Sequence, residues 1–243
     1  IRLSLVGSEM CIRDRYDMPF WLQLMWDSLG PLLWAALKFT APLTLISFVL
    51  GLSLGLVTAL VRMFAPKPFA LIARFYVWIF RGTPLLVQLF LIFYGLPSAG
   101  IVLDAFTAAV IGFTLNVGAY TSEIIRAVIA SVPRGQWEAS YSISMSWFQT
   151  MRRTILPQAA RTAVPPLSNT FISLVKDTSL AAAITVPELF QQAQRIVAVT
   201  YEPLILYVQA ALIYLLLSSV LSSLQAWMER RLNRYGGFME TRS

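Results

Sequence analysis

Five stretches of this chain are apolar over roughly the 20 residues that a helix needs to cross a ~30 Å hydrocarbon core. They run from about Leu33 to Val61, around Pro84–Leu96 with a start as early as Leu71, from about Phe106 to Ala130, from about Ala163 to Val186, and from about Leu204 to Trp227. The expected fold class is an all-α polytopic helical membrane protein with five transmembrane helices. Composition agrees. Charged residues make up 13% and hydrophobic residues 57% of the 243, against about 25% charged in a soluble domain. Seven Trp among 13% aromatics suit a chain that meets membrane interfaces, and disorder needs far lower hydrophobicity.

The net charge of +7 admits two readings, nucleic-acid binding or membrane topology. The positions of Lys and Arg decide for topology. Beyond residue 15, the segment between spans one and two holds Arg62, Lys67, Arg74 and Arg81. The region between spans three and four holds Arg126, Arg134, Arg152, Arg153 and Arg161, and the tail holds Arg230, Arg231, Arg234 and Arg242. The alternate loops hold Arg195 alone. This thirteen-to-one split puts the N-terminus outside and the C-terminus in the cytoplasm. No nucleic-acid partner is expected; the lipid bilayer is.

Residues 1–15 do not fit the rest of the chain. They are too short and too charged for a signal-peptide core, and SLVGSEMCIRDR resembles translated sequencing-adaptor sequence. They are expected to be non-native, with an external segment over 16–32, a transmembrane domain over 33–229 and a cytoplasmic tail over 230–243. Local signals refine the ends. Thr83 is placed to N-cap a helix beginning at Pro84. Ser146 and Gln149 have capping-box spacing, opening a helix that Pro157 is expected to interrupt. Pro165-Pro166 is expected to mark the opening of the fourth span.

There is no His, and the only Cys is Cys11, which excludes zinc sites, histidine-ligated haem, a Ser-His-Asp triad and a disulfide framework. None of the three Lys follows a Gly, so the chain has no P-loop. No cofactor and no metal are expected.

Three patterns carry meaning. The first span has a small residue at every fourth position, Ser47, Gly51, Gly55 and Ala59. Such a stripe lets a helix approach closely, within the chain or across a dimer. The third span carries Gly112, Asn116, Tyr120 and Glu123 on one face, and the fourth carries Asn169, Ser173, Lys176 and Asp177. Ionisable groups at membrane depth are costly unless paired or hydrated. Glu123, Lys176 and Asp177 therefore line a polar path, with Asn116 and Ser173 as neighbours, or lock helices together as ion pairs. Glu123 stands three residues before Arg126, which favours a pair there. The third pattern is the amphipathic stretch of about 131–162, either a docking element or a surface helix on lipid headgroups.

That stretch resembles the EAA loop of ABC importer permeases: Glu138, Ala139 and Ser140, then Ser144 at the family's glycine, then Leu156-Pro157. Arg81-Gly82-Thr83-Pro84, Phe93-Tyr94-Gly95-Leu96-Pro97 and Ser173-Leu174-Val175-Lys176-Asp177-Thr178-Ser179-Leu180 are similar to the polar amino-acid permeases, the His/Glu/Gln/Arg/opine family. Gly135-Gln136-Trp137-Glu138-Ala139, Leu156-Pro157-Gln158-Ala159-Ala160-Arg161 and Pro187-Glu188-Leu189-Phe190 resemble its cystine-type branch. Two departures stand out. Ser144 replaces a glycine, and a left-handed backbone there costs a non-Gly residue about 1–2 kcal/mol. Thr154 replaces an apolar residue ahead of Ile155.

The resemblance implies the type I importer fold. It also implies a subunit that is not itself an enzyme, in a bacterial inner membrane, importing a polar amino acid such as cystine. Its partners would be cytoplasmic ABC ATPases docked on the loop of Glu138, Ala139, Ser140, Ser144, Leu156 and Pro157, a second permease subunit, and an external amino-acid-binding protein. Two other classes compete: a membrane-embedded enzyme using Glu123, Lys176 and Asp177, and a secondary transporter driven by an ion gradient, for which an inverted repeat is expected and none is found.

Overall fold

The computed structural model describes residues 19–234. The segment expected to be non-native and residues 235–243 of the tail lie outside the described residues. Every described element is helical. In chain order these are α1 (Phe20–Ala35), α2 (Ala41–Phe64), α3 (Lys67–Gly82), α4 (Leu85–Phe90), α5 (Ala105–Ala130), α6 (Arg134–Ser142), α7 (Trp147–Thr150), α8 (Leu156–Asp177), α9 (Leu189–Thr200) and α10 (Pro203–Arg234).

Among the described residues, three helices are long and apolar enough to cross a membrane: Phe20–Phe64, Ala105–Ala130 and Pro203–Arg231. Lys67–Gly82 and Leu85–Ala99 qualify together but bend by 107° at the break, which makes them at most a fourth span. α8 is not in that set, because Gln158, Arg161, Asn169, Lys176 and Asp177 dilute its apolar character. Length and composition thus single out four spans at most, one fewer than the sequence pattern suggests. The first helix also begins at Phe20, well ahead of Leu33.

Three prolines explain the irregular helices. π-helical turns at Ala36–Thr40, Leu91–Gly95 and Met151–Ile155 each end two residues before a proline: Pro42, Pro97 and Pro157. A proline has no N–H for the i−4 carbonyl and its ring collides with it. A π turn lies just ahead of each such clash: the N–H groups of Ala41, Leu96 and Leu156 donate to the carbonyls of Ala36, Leu91 and Met151, i+5 bonds that widen the helix as it approaches the proline. Pro157 therefore does not interrupt its helix, contrary to the sequence expectation; the π turn carries α7 into α8. Pro165-Pro166 likewise lies inside α8 rather than at its start. The carbonyls that these prolines leave without an in-helix donor belong to Arg161 and Thr162, both exposed.

The stripe Ser47, Gly51, Gly55 and Ala59 is buried. It packs against α5 of the same chain, which settles the choice between packing within the chain and across a dimer. A Cβ at Gly51 would lie 2.7 Å from the Val117 Cβ. At Gly55 it would collide with the Thr121 hydroxyl and reach the Gly118 carbonyl at 3.0 Å. The glycines let α2 and α5 run side by side at backbone distance. Three apolar clusters fix the rest, one of which joins α1, α9 and α10 through Leu32, Leu189, Ala193 and Ile213. Leu43, Leu89, Phe113, Leu174 and Ile184 join α2, α4, α5 and α8 at one end. Ala59, Ile125, Ile129, Met151 and Ile155 join α2, α5 and the root of α8 at the other. α5 and α8 are thereby held beside one another along a wall that remains polar.

Candidate functional site

Between α3, α4, α5 and α8 lies a cavity of about 570 Å³, within the usual range for small-molecule sites. Asn116, Tyr120 and Glu123 of α5 line it, with Asn169, Ser173 and Asp177 of α8 and with Arg81 and Thr83 at the α3–α4 break. The two polar faces read from the sequence do meet. Two members do not take part. Lys176 is exposed and outside the lining, and Gly112 is a packing position beneath Leu89 of α4.

Glu123 sits among three arginines. Its Oε1 accepts from Arg62 Nη2 at 2.8 Å, with Arg81 Nη1 at 3.5 Å. Its Oε2 accepts from Arg126 Nε at 3.0 Å. The Arg126 pair was legible as an i, i+3 neighbour. Arg62 and Arg81 were not: in the sequence Arg62 served only as a topological charge, and Arg81 as a topological charge and a member of the Arg81-Gly82-Thr83-Pro84 motif. Arg62 is the most enclosed, with a side chain 12% exposed, so the cluster ties α2, α3 and α5 together.

Gln88 is a further polar residue that the sequence reading missed. It is buried in α4 and donates to the carbonyls of Phe80 at 2.9 Å and Thr83 at 3.1 Å and to the Thr83 hydroxyl at 2.9 Å. Its Oε1 accepts from Asn116 Nδ2 at 3.0 Å. One amide therefore satisfies carbonyls left open where α3 ends and orients Asn116 toward the cavity. Thr83 consequently does not N-cap α4 as expected. Its hydroxyl donates back to Ile79 O at 2.9 Å, and Pro84 takes the capping position. The single amide in the apolar run Leu85–Phe90 was the available signal.

Between α5 and α8 the loop is shaped by two capping arrangements. α6 ends in paired bonds, Ser144 N–H to Tyr141 O at 2.9 Å and Met145 N–H to Ser140 O at 3.2 Å. This is the Schellman pattern, which needs a left-handed residue after the helix. Ser144 fills it at φ +59°. Ser146 and Gln149 then form the capping box, with bonds of 3.3 and 2.9 Å. Glu138 and Ala139 are exposed, as are Ser144 and Pro157, while Leu156 is half-buried. Ser140 is buried and donates to Gln136 O at 2.8 Å and Thr154 Oγ1 at 3.1 Å. Thr154 is thus the polar partner of Ser140 across the turn. The loop also exposes Ile143 at 73% and Phe148 at 65%, beside Tyr141, an apolar patch around Ser144 that the sequence reading did not single out. Among the described residues, no group of His, Cys, Asp and Glu could hold a metal ion.

Comparison with known proteins places this architecture. Residues 51–234 match the family of binding-protein-dependent transport system inner membrane components. The chain is 54% identical over 213 residues to the L-cystine transport system permease protein TcyB of Bacillus subtilis (strain 168), covering 87% of this chain and 91% of that protein. It superposes on a solved amino acid ABC transporter described with histidines at a TM-score of 0.83 and 37% identity, covering 88% of this chain and 99% of the other. Inward-facing structures of the MetNI methionine ABC transporter share the fold at a TM-score of 0.67 and 20% identity, over 86% of this chain and 98% of theirs. The chain belongs to the binding-protein-dependent inner membrane components, as an integral membrane permease of the polar amino-acid ABC transporter family.

Proposed function

We propose that this permease imports a polar amino acid, cystine or a close relative, using ATP hydrolysed by partner subunits. One observation carries the reading: two of the helices that wall the polar cavity, α5 and α8, are the ones that the exposed 131–162 loop connects. A partner that displaces the loop necessarily moves the cavity walls. Ile155 is fully buried against α2 and α5, so the loop does not swing freely but transmits its displacement through packed side chains.

In this reading Glu138 and Ala139 meet the ATPase, and the apolar patch around Ser144 seats in its surface. Ser140, Leu156 and Pro157 shape the loop. Asn116, Ser173 and Asp177 face the substrate, while Glu123 locks α2 to α5; Lys176 belongs to the flank of the path. The thirteen-to-one charge split supports an outside N-terminus and a cytoplasmic C-terminus. A second permease subunit, identical or related, completes the path, and an external binding protein delivers the substrate. The transmembrane domain is assigned to 33–229 and the tail to 230–243.

The test is uptake of labelled L-cystine into proteoliposomes holding the permease, its ATPase and its binding protein. Uptake that requires ATP inside the ATPase-accessible compartment is expected. Uptake driven by a proton or sodium gradient without ATP would place the chain with secondary transporters.

A further inference from the structure

The three arginines around Glu123 are not equivalent. Arg62 occupies Oε1 at 2.8 Å and Arg126 occupies Oε2 at 3.0 Å, so each carboxylate oxygen already has a close guanidinium. Arg81 reaches only 3.5 Å, to the oxygen that Arg62 already holds, beyond the usual range for a charge-assisted N–H···O bond. Its side chain is 44% exposed and lines the cavity, whereas Arg62 does not. Its guanidinium rests over the Tyr120 ring, 5.4 Å from the centroid, which orients the plane and leaves N–H groups at its edge for a further acceptor. Among the described residues lining the cavity it is the one cation; the anions are Glu123 and Asp177.

We propose, resting on the importer reading, that Arg81 anchors the carboxylate of the transported amino acid and so sets a requirement for one. A guanidinium and a carboxylate match as a two-bond fork. Turning Arg81 from Glu123 to a substrate leaves Glu123 with both of its close partners, so no buried charge is stranded. Glu123, already neutralised, is no free anion for a cationic group. The substrate ammonium is drawn instead to Asp177, at the C-terminal end of α8, where the helix dipole also favours positive charge.

The test uses the whole permease–ATPase complex in detergent without its binding protein. The probes are L-cystine and L-arginine against cystamine and agmatine, the same molecules without carboxylates, with affinity read by titration calorimetry. The wild type is expected to favour an amino acid over its amine by roughly 10–100-fold, the worth of a hydrogen bond between charged groups. R81Q should erase that preference by weakening the amino acid alone, R81K should restore part of it, and R74Q, at an exposed position of α3 outside the lining, should leave it in place. R81Q that keeps the preference, or that weakens amino acid and amine equally in an assembled complex, overturns the proposal alone. A wild-type complex that binds neither amino acid overturns the importer reading together with it.

Discussion

Gly55→Ala isolates the contact on which the bundle is built. In an exposed helix interior this change is stabilising by about 1 kcal/mol, from backbone entropy alone. Here the new methyl group meets the Thr121 hydroxyl, the Thr121 Cβ at 3.0 Å and the Gly118 carbonyl at 3.0 Å. The hydroxyl can rotate, but it then gives up bonds to Val117 O at 2.8 Å and to Gly51 O at 3.3 Å. The carbonyl belongs to helix backbone and moves only if α5 moves. Overpacking of this kind costs about 1–3 kcal/mol, and the propensity gain offsets ~1 of it, so Gly55→Ala forfeits the gain and loses up to about 2 kcal/mol net. Thermal unfolding of the purified permease, monitored by intrinsic Trp fluorescence, reads the change as a lower Tm. Gly135 provides the internal control: it is exposed in α6 and a Cβ there meets nothing within 4 Å outside its chain neighbours, so Gly135→Ala should leave Tm unchanged or raise it. Combining Gly55→Ala with Thr121→Ala removes the hydroxyl from the collision and should recover part of the loss, a coupling of about 0.5–3 kcal/mol. If Gly55→Ala stabilises as Gly135→Ala does, and the double variant is additive, the close approach of α2 to α5 is refuted.

The loop and the cavity supply further expected outcomes. Ser144→Gly should preserve or raise co-purification of the ATPase, because it removes left-handed strain of about 1–2 kcal/mol, whereas Ser144→Val should reduce it; equal behaviour of the two variants counts against the turn. Glu138→Arg should lower both ATPase co-purification and substrate-stimulated ATP hydrolysis while the permease still folds, and unchanged values for both would remove Glu138 from docking. Glu123→Ala leaves the enclosed Arg62 guanidinium with no close partner, a loss of about 3–5 kcal/mol for a buried pair, and should lower the amount of assembled complex. Asn116→Ala and Ser173→Ala should instead raise the apparent KM with assembly intact, and Lys176→Ala should change neither quantity. A Cys placed at Gln149 should resist an impermeant reagent applied to intact cells, and ready labelling would reverse the topology.

Much of this architecture was written in short-range patterns. The small-residue stripe, the polar faces of α5 and α8, the i, i+3 pair of Glu123 with Arg126 and the capping box at Ser146 all depend on residues within a few turns of each other. What sequence did not disclose depends on distant partners or on backbone register. Arg62 and Arg81 meet Glu123 only because α2 and α3 fold onto α5. Pro157 reads as a stop until a π turn is seen to precede it within a continuous helix. Thr83 reads as a cap until Gln88, five residues on, is found bonded to it. The stripe itself was visible, but its partner was not, since a dimer and an internal helix both present small-residue grooves. The double proline in α8 misled for a related reason: helices tolerate Pro165 and Pro166 where the freed carbonyls stay exposed.

The link between loop and cavity is tested most directly by a distance across the cavity. With Cys11 replaced, spin labels on Cys introduced at Ile124 of α5 and Thr170 of α8 report the separation of the two walls in the assembled transporter by pulsed electron resonance. ATP is expected to shift the distance distribution in the wild type, and Glu138→Arg to abolish the shift with the labels and the fold unchanged. A distribution that is the same with and without ATP in a transporter that still hydrolyses it contradicts the claim that the loop moves the walls.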